Sequence, residues 1–341
     1  MPRSILALLG LIISVNSSPL RQPYQSFLAA PSVTLPRPLV IWHGLGDTSL
    51  SDGIQSFIDD VHAIHPGIFV YSVQVPLNGS LDEQRRAGFY GDAEEQGQRG
   101  CEQISTIPEL RDGFDAMGFS QGGLFLRQYA QYCSGPSIRN LITFGTPHYG
   151  IAEPIPCPSP PTLTCLLAGR AARAGIYRPW AQTHLVQAQY YRDPARMDEF
   201  LRSNTFIRDL NAEGKYLAGE EEGAGGRGLA GLENLVAIMF DQDRTVGPAE
   251  SAHFATVSAI NHTQIIPLYE QPLYTGDWIG LRTLDEKGRL RLAHCPGAHM
   301  DLGGKGGCAE MVRSPIVKSW VWLVQRCCDA YLLLVIKSAR S

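Results

Sequence analysis

A serine set between glycines is the first place in this 341-residue chain where chemistry can be read. Gly118-Phe119-Ser120-Gln121-Gly122 fits G-x-S-x-G, a sharp strand-to-helix turn that lifts the serine oxygen clear of the backbone. The glycines leave room for a turn that side chains would crowd. The flanks fit as well. Phe114-Asp115-Ala116-Met117 reads as a short buried strand, and Leu126, Ala130 and Cys133 fall on one face of a following helix.

A serine hydroxyl is a weak nucleophile until a base takes its proton and a carboxylate orients that base. In hydrolases built on this turn the order along the chain is Ser, then Asp or Glu, then His. The histidines far enough downstream are His253, His262, His294 and His299. His299 sits in the loop Pro296-Gly297-Ala298-His299-Met300, after the apolar run Leu290 to Ala293, where an α/β sheet presents its catalytic groups. His294 is the fallback, and His262, inside an Asn-His-Thr sequon, belongs on the surface. For the acid, the apolar run Leu235 to Phe240 ends in a polar turn holding Asp241 and Asp243, either of which could reach over the sheet edge. The oxyanion donors are expected to be the backbone N–H groups of Gln121 and of Leu45, the latter in the glycine-rich loop after the strand Pro38 to Trp42. His43 is expected to brace that loop.

These groups need a scaffold, and the chain spells one out. Apolar runs at Leu39–Trp42, Phe69–Val75, Phe114–Met117, Leu141–Phe144 and Leu235–Phe240 alternate with helical patterns. That alternation predicts an α/β fold, a mostly parallel sheet with helices on both faces. From about 150 to 231 it is interrupted by a proline-rich stretch and then by helical patterns, one carrying a leucine and alanine stripe from Leu163 to Ala174, another carrying Trp180, Leu185 and Val186. The expected reading is a helical insertion over the carboxyl edge of the sheet, able to line an acyl groove; a helical subdomain that packs only for stability is the alternative. The charge of −4 gives no basic face for nucleic acid. Residues 1–17 have the charged start, apolar run and small-residue end of a signal peptide. No apolar run is long enough for a transmembrane segment. No CxxC or HExxH spacing suggests a metal, and no cofactor is called for. Asn78-Gly79-Ser80 and Asn261-His262-Thr263 are glycosylation acceptors if exposed.

The segments PLVIWHGLGD (38–47), AMGFSQGG (116–123), LVQAQYYRDP (185–194), Ile266-Pro267-Leu268 with Leu273-Tyr274-Thr275, and Gly297-Ala298-His299 together resemble the palmitoyl-protein thioesterases. The resemblance runs from about Pro38 to His299 and implies an α/β-hydrolase fold. It also implies a catalytic set of Ser120, Asp243 and His299: the family's Phe-x-x-Asp-x-x-Val-x-Pro pattern falls on Phe240 to Pro248 and selects Asp243 over Asp241. It implies disulfides Cys101–Cys133 and Cys157–Cys165, and leaves Cys295, Cys308, Cys327 and Cys328 without an implied partner. Two features depart from the family. Ser49 and Leu50 stand where members carry adjacent cysteines, and the chain continues well past His299, with a closing helix expected at about 315–325 and an atypical tail at 327–341.

The expectation is therefore one hydrolase domain over 38–326. It would release long-chain acyl groups from S-acylated proteins, peptides or acyl-CoA, in the lysosome, vacuole or extracellular space. A lipase or carboxylesterase of the same fold is the alternative, and a non-catalytic lipid- or protein-binding relative is another.

Overall fold

The structure is a computed structural model that describes residues 36–153, 173–214 and 228–302. The apolar run Leu39–Trp42 forms β1, buried throughout. Helix α1, Asp52–Ile64, starts at Ser51, whose hydroxyl accepts the Ile54 N–H. After β2, Val70–Ser72, Ser80 and Glu83 cap each other at the start of α2, Leu81–Phe89, and Asp92 caps α3, Ala93–Ser105. These side chains take up N–H groups that a helix start leaves without acceptors. Then come β3, Phe114–Phe119, α4, Gln121–Tyr132, and β4, Ile138–Phe144. The insertion supplies the short helices α5, Pro179–His184, α6, Met197–Ser203, and α7, Phe206–Leu210. The chain returns through β5, Asn234–Phe240, a small ribbon of β6, Thr256–Val257, and β7, Ile265–Ile266, and helices α8, Pro272–Thr275, and α9, Leu281–Glu286. It reaches the last described strand, β8, Leu290–Cys295.

Six strands form one parallel sheet in the order β2-β1-β3-β4-β5-β8. Such sheets must be covered on both faces, which is why their strands read as unbroken apolar runs rather than alternating ones. Ile54, Phe57 and Val61 of α1 share one core with Ile41, Phe119, Phe144 and Ile238. Trp42, Phe125, Tyr129, Phe200 and Leu235 belong to a larger core on α4 and the insertion. This is the α/β-hydrolase architecture, with the order in the sheet placing β3 centrally.

Several boundaries differ from the sequence pattern. The strand expected over Phe69 to Val75 is only three residues long, because β2 is the sheet edge and pairs on one side alone. Strand β8 runs past Ala293 and so includes His294. Helix α4 is buried on nearly every side rather than along one stripe, since the sheet, α3 and the insertion all pack on it. The expected signal peptide, the Cys157–Cys165 pair, most of the leucine stripe, Cys308, Cys327, Cys328 and the closing helix with its tail lie outside the described residues.

Cys101 and Cys133 are joined, with Cα atoms 5.9 Å apart, tying α3 to the end of α4. Cys295 is also disulfide-bonded. The Cys101–Cys133 link spans 32 residues, for which the chain-entropy contribution is about 3–4 kcal/mol before any native strain. Replacing both cysteines by serine should lower the denaturation midpoint in calorimetry, while turnover per folded molecule stays within about twofold. A large loss of turnover without loss of stability would contradict this.

Candidate active site

Ser120 has φ 50° and ψ −121°, a positive φ for a residue with a side chain. Such a conformation costs on the order of 1–3 kcal/mol and persists only where neighbours enforce it. Here the Ser120 N–H donates to the Phe144 carbonyl at 2.7 Å, and the Thr146 hydroxyl donates to the Ser120 carbonyl at 2.8 Å. The first turn of α4 lies directly on the backbone of β1: a Cβ on Gly122 would overlap the carbonyl oxygens of Trp42 and His43. Ser120 occupies the N-cap position of α4 yet makes no capping bond. Its Oγ faces His299 instead, and Gln121, as the first helical residue, has no intrahelical acceptor for its N–H.

The His299 Nε2 lies 3.0 Å from Ser120 Oγ, and its Nδ1 lies 2.6 Å from Asp243 Oδ2. The carboxylate only accepts, so Nδ1 carries the proton and Nε2 is left as the acceptor facing the serine. The other oxygen of Asp243 accepts the N–H groups of Thr245 at 2.8 Å and Val246 at 3.0 Å, which fixes the carboxylate plane. The Asp243 side chain is 1% exposed and that of His299 13%. Phe240 meets the imidazole edge-on at 6.0 Å. Gly145, with φ 55°, brings its backbone so close that a Cβ would sit 3.0 Å from the ring.

The two fallback residues also find each other, but elsewhere. Asp241 Oδ1 and His294 Nδ1 are 2.8 Å apart, with side chains 38% and 53% exposed. The two pairs come from different places: Asp241 follows directly on β5 and His294 sits within β8, while Asp243 and His299 come from the loops beyond. His253 packs edge-on against His294 at 4.9 Å, and burial brings its pKa down to about 4. His262 is exposed. Burial also lowers the pKa of His43, which braces the glycine-rich loop through Nδ1 and the Gly44 carbonyl at 3.0 Å.

A cleft of about 670 Å³ opens above Ser120 and His299. Leu45, Phe57, Phe89, Tyr190, Val246 and Met300 give it mainly apolar walls. That volume suits a ligand of moderate size with few polar groups. Trp180, expected in the insertion's helical pattern, is not among its lining residues and is 61% exposed. Asn78 and Asn261 are both exposed. Among the described residues no helix is long and apolar enough to cross a membrane.

Residues 38–299 match the palmitoyl protein thioesterase family. The chain belongs to that family. It is a thioester hydrolase by class. Palmitoyl-protein thioesterase 1 of Caenorhabditis elegans is 34% identical over 270 residues, covering 78% of this chain and 87% of the relative. A palmitoyl-protein thioesterase-dolichyl pyrophosphate phosphatase fusion of Schizosaccharomyces pombe is 38% identical over 269 residues, covering 78% of this chain and 41% of that longer protein. Lysosomal thioesterase PPT2 of Rattus norvegicus is 26% identical over 268 residues, covering 76% and 80%.

Sequence reading did not single out Thr146 or Tyr190 individually. Thr146 lies in a strand-end loop, and loops beyond the carboxyl ends of parallel strands are where site residues gather. Tyr190 lies in the segment 185–194 that carries the family resemblance, but its contact with Gln121 depends on how the chain after β4 folds back.

The two acid–base pairs give a direct contrast. Asp243→Asn should lower kcat by about 10⁴, since an amide in place of the carboxylate favours the wrong imidazole tautomer. Asp241→Asn should change it less than threefold. Steady-state kinetics on both variants checks this, and a reversed order would move the acid to Asp241. Buried His253 makes a second prediction. Its folded pKa of about 4 lies below the ordinary value of 6.5, so the unfolded chain binds more protons between those values. Stability attributable to His253 is full above about pH 6.5 and is lost as the pH falls through about 4. Urea titrations should show the unfolding free energy declining over that window, less steeply in a His253→Gln variant. An equal slope would contradict the assignment.

Proposed function

We propose that the chain hydrolyses long-chain acyl thioesters, on S-acylated proteins or peptides or on acyl-CoA, with Ser120 as nucleophile. The observation that carries this reading is the continuous path from Asp243 through His299 to Ser120 at the floor of an apolar cleft. His299 Nε2 takes the Ser120 proton as Oγ bonds to the acyl carbon. Asp243 holds the tautomer that can accept it and stabilises the imidazolium that results. The carbonyl oxygen becomes an oxyanion, held by the N–H groups of Leu45 and Gln121, each worth about 3 kcal/mol by analogy with other oxyanion donors. The C–S bond then breaks, and His299 returns the proton to the departing sulfur. Water, deprotonated by His299, attacks the acyl-serine, and the fatty acid leaves with Ser120 restored.

The apolar walls favour a long acyl chain, since each methylene buried contributes about 0.8 kcal/mol. The signal-like residues 1–17, the Cys101–Cys133 disulfide and the exposed sequons at Asn78 and Asn261 all fit passage through the secretory pathway. The lysosomal thioesterase name of the rat relative supports a lysosomal destination.

The test compares palmitoyl thioester with its oxygen-ester analogue on the purified chain. Thioester turnover at least tenfold higher in kcat/KM is expected. Preference for the ester would replace this reading with a lipase or carboxylesterase, and turnover of neither would point to a binding protein.

A further inference from the structure

The side chain of Gln121 has no place in the acyl-transfer steps, yet it is almost wholly buried with both of its polar atoms engaged. Its Nε2 donates to the Gly88 carbonyl at 3.1 Å. Its Oε1 accepts the Tyr190 hydroxyl, also at 3.1 Å. Burial pushes the Tyr190 phenol well above its ordinary pKa, so it remains a donor at any working pH. That donation settles the amide orientation, because only the oxygen can accept it.

Gly88 closes the circuit. It is the penultimate residue of α2 and lies on the glycine-rich loop that carries Leu45. A Cβ at position 88 would sit 3.1 Å from the Gly46 nitrogen and 3.7 Å from the Leu45 Cα. One turn earlier in α2, Gln84 Oε1 accepts both the N–H and the hydroxyl of Ser49, at 3.1 and 2.9 Å. Helix α2 therefore grips the loop at two points. The Gln121 amide fastens that helix to the start of α4, and the insertion holds it from the other side, as Gln187 Nε2 donates to the same Gly88 carbonyl at 3.2 Å.

We propose that the Tyr190 hydroxyl and the Gln121 side chain are positioning groups that set the spacing between the two oxyanion donors, the backbone N–H groups of Gln121 and Leu45. The proposal rests on the hydrolase reading above and deepens it. The polar atoms of both groups are engaged with protein, the Tyr190 hydroxyl with Gln121 Oε1 and the Gln121 Nε2 with the Gly88 carbonyl. They act by fixing two backbone segments that come from different parts of the chain. An oxyanion hole works because its donors need no rearrangement when charge develops, so a loosened spacing weakens transition-state binding more than substrate binding.

Tyr190→Phe keeps the ring and removes only the hydroxyl. Gln121→Met keeps the backbone N–H and the side-chain length. Gly88→Ala leaves both residues intact and presses a methyl group on the Gly46 nitrogen, giving an independent disturbance of the same spacing. Each is made in the full chain, and rates are referred to active sites titrated with a fluorophosphonate. The expected result is kcat lower by about tenfold with KM within about twofold, as a small misplacement of a catalytic group produces. Inhibition by hexadecylboronic acid, whose tetrahedral serine adduct places an oxygen in the oxyanion position, should weaken by a similar factor. The Tyr190→Phe, Gln121→Met double variant should lose little beyond either single change. Unchanged kcat and boronate inhibition in Tyr190→Phe and Gly88→Ala would overturn the proposal, as would a rise in KM with kcat intact. An unaltered chain that hydrolyses neither thioester nor ester would overturn the hydrolase reading and this proposal together. Wild-type-like variants of an active hydrolase would overturn the positioning role alone.

Discussion

One backbone conformation organises this molecule: the positive φ of Ser120 at the junction of β3 and α4. A serine does not adopt it without being held, and the surrounding structure supplies the holding. β3 lies between β1 and β4 in the sheet, so the junction emerges from the middle rather than an edge. The neighbouring β4 accepts the Ser120 N–H, the loop after β4 secures its carbonyl, and α4 presses on β1 at Gly122 with no side chain between them. The same turn that strains the backbone frees the Oγ from capping duty and directs it toward His299. Strain and the direction of Oγ toward His299 thus share one cause.

The rest of the site hangs from the carboxyl edge of the same sheet. β5 ends just before Asp243, and β8 just before the loop of His299, and these strands are direct neighbours. A parallel sheet delivers all its strand ends to one side, so residues 120, 243 and 299 converge although they are far apart in the chain. The insertion adds a second layer of constraint. Arg127 of α4 is fully buried with no carboxylate beside it among the described residues, and burial brings its pKa down to about 9. It donates instead to the carbonyls of His148 and Leu210 and to the Asn211 side chain, between 2.6 and 2.8 Å. A buried guanidinium satisfied by carbonyls is expensive to disturb, which makes it a rigid pin between the serine-bearing helix and α7.

What could be read in the sequence follows a physical line. The turn at Ser120, the buried strands and the polar loops after β5 and β8 are local patterns, and each is visible within a few consecutive residues. The histidine could be placed from the loop signal around Gly297. The choice between Asp241 and Asp243 could not be made from the residues themselves, because both stand at the end of β5 and each has a histidine partner in the folded chain. Burial of one pair and exposure of the other distinguishes them, and burial is a property of the assembled fold. The contacts of Arg127 with Leu210 and Asn211, and of Tyr190 with Gln121, are not legible for the same reason: they exist only once the chain beyond β4 folds over α4. Trp180 falls in a helix, as its pattern predicts, but which face it takes is set by the assembled fold, and it stacks on His184 at the surface.

The central claim is that Ser120 is a nucleophile because His299, held by Asp243, can take its proton. Reaction with a fluorophosphonate probe followed by peptide mass mapping tests it most directly. A single adduct on Ser120, lost in His299→Ala and retained in His294→Ala, is the predicted result. Labelling at another residue, or labelling of Ser120 undiminished in His299→Ala, would contradict it.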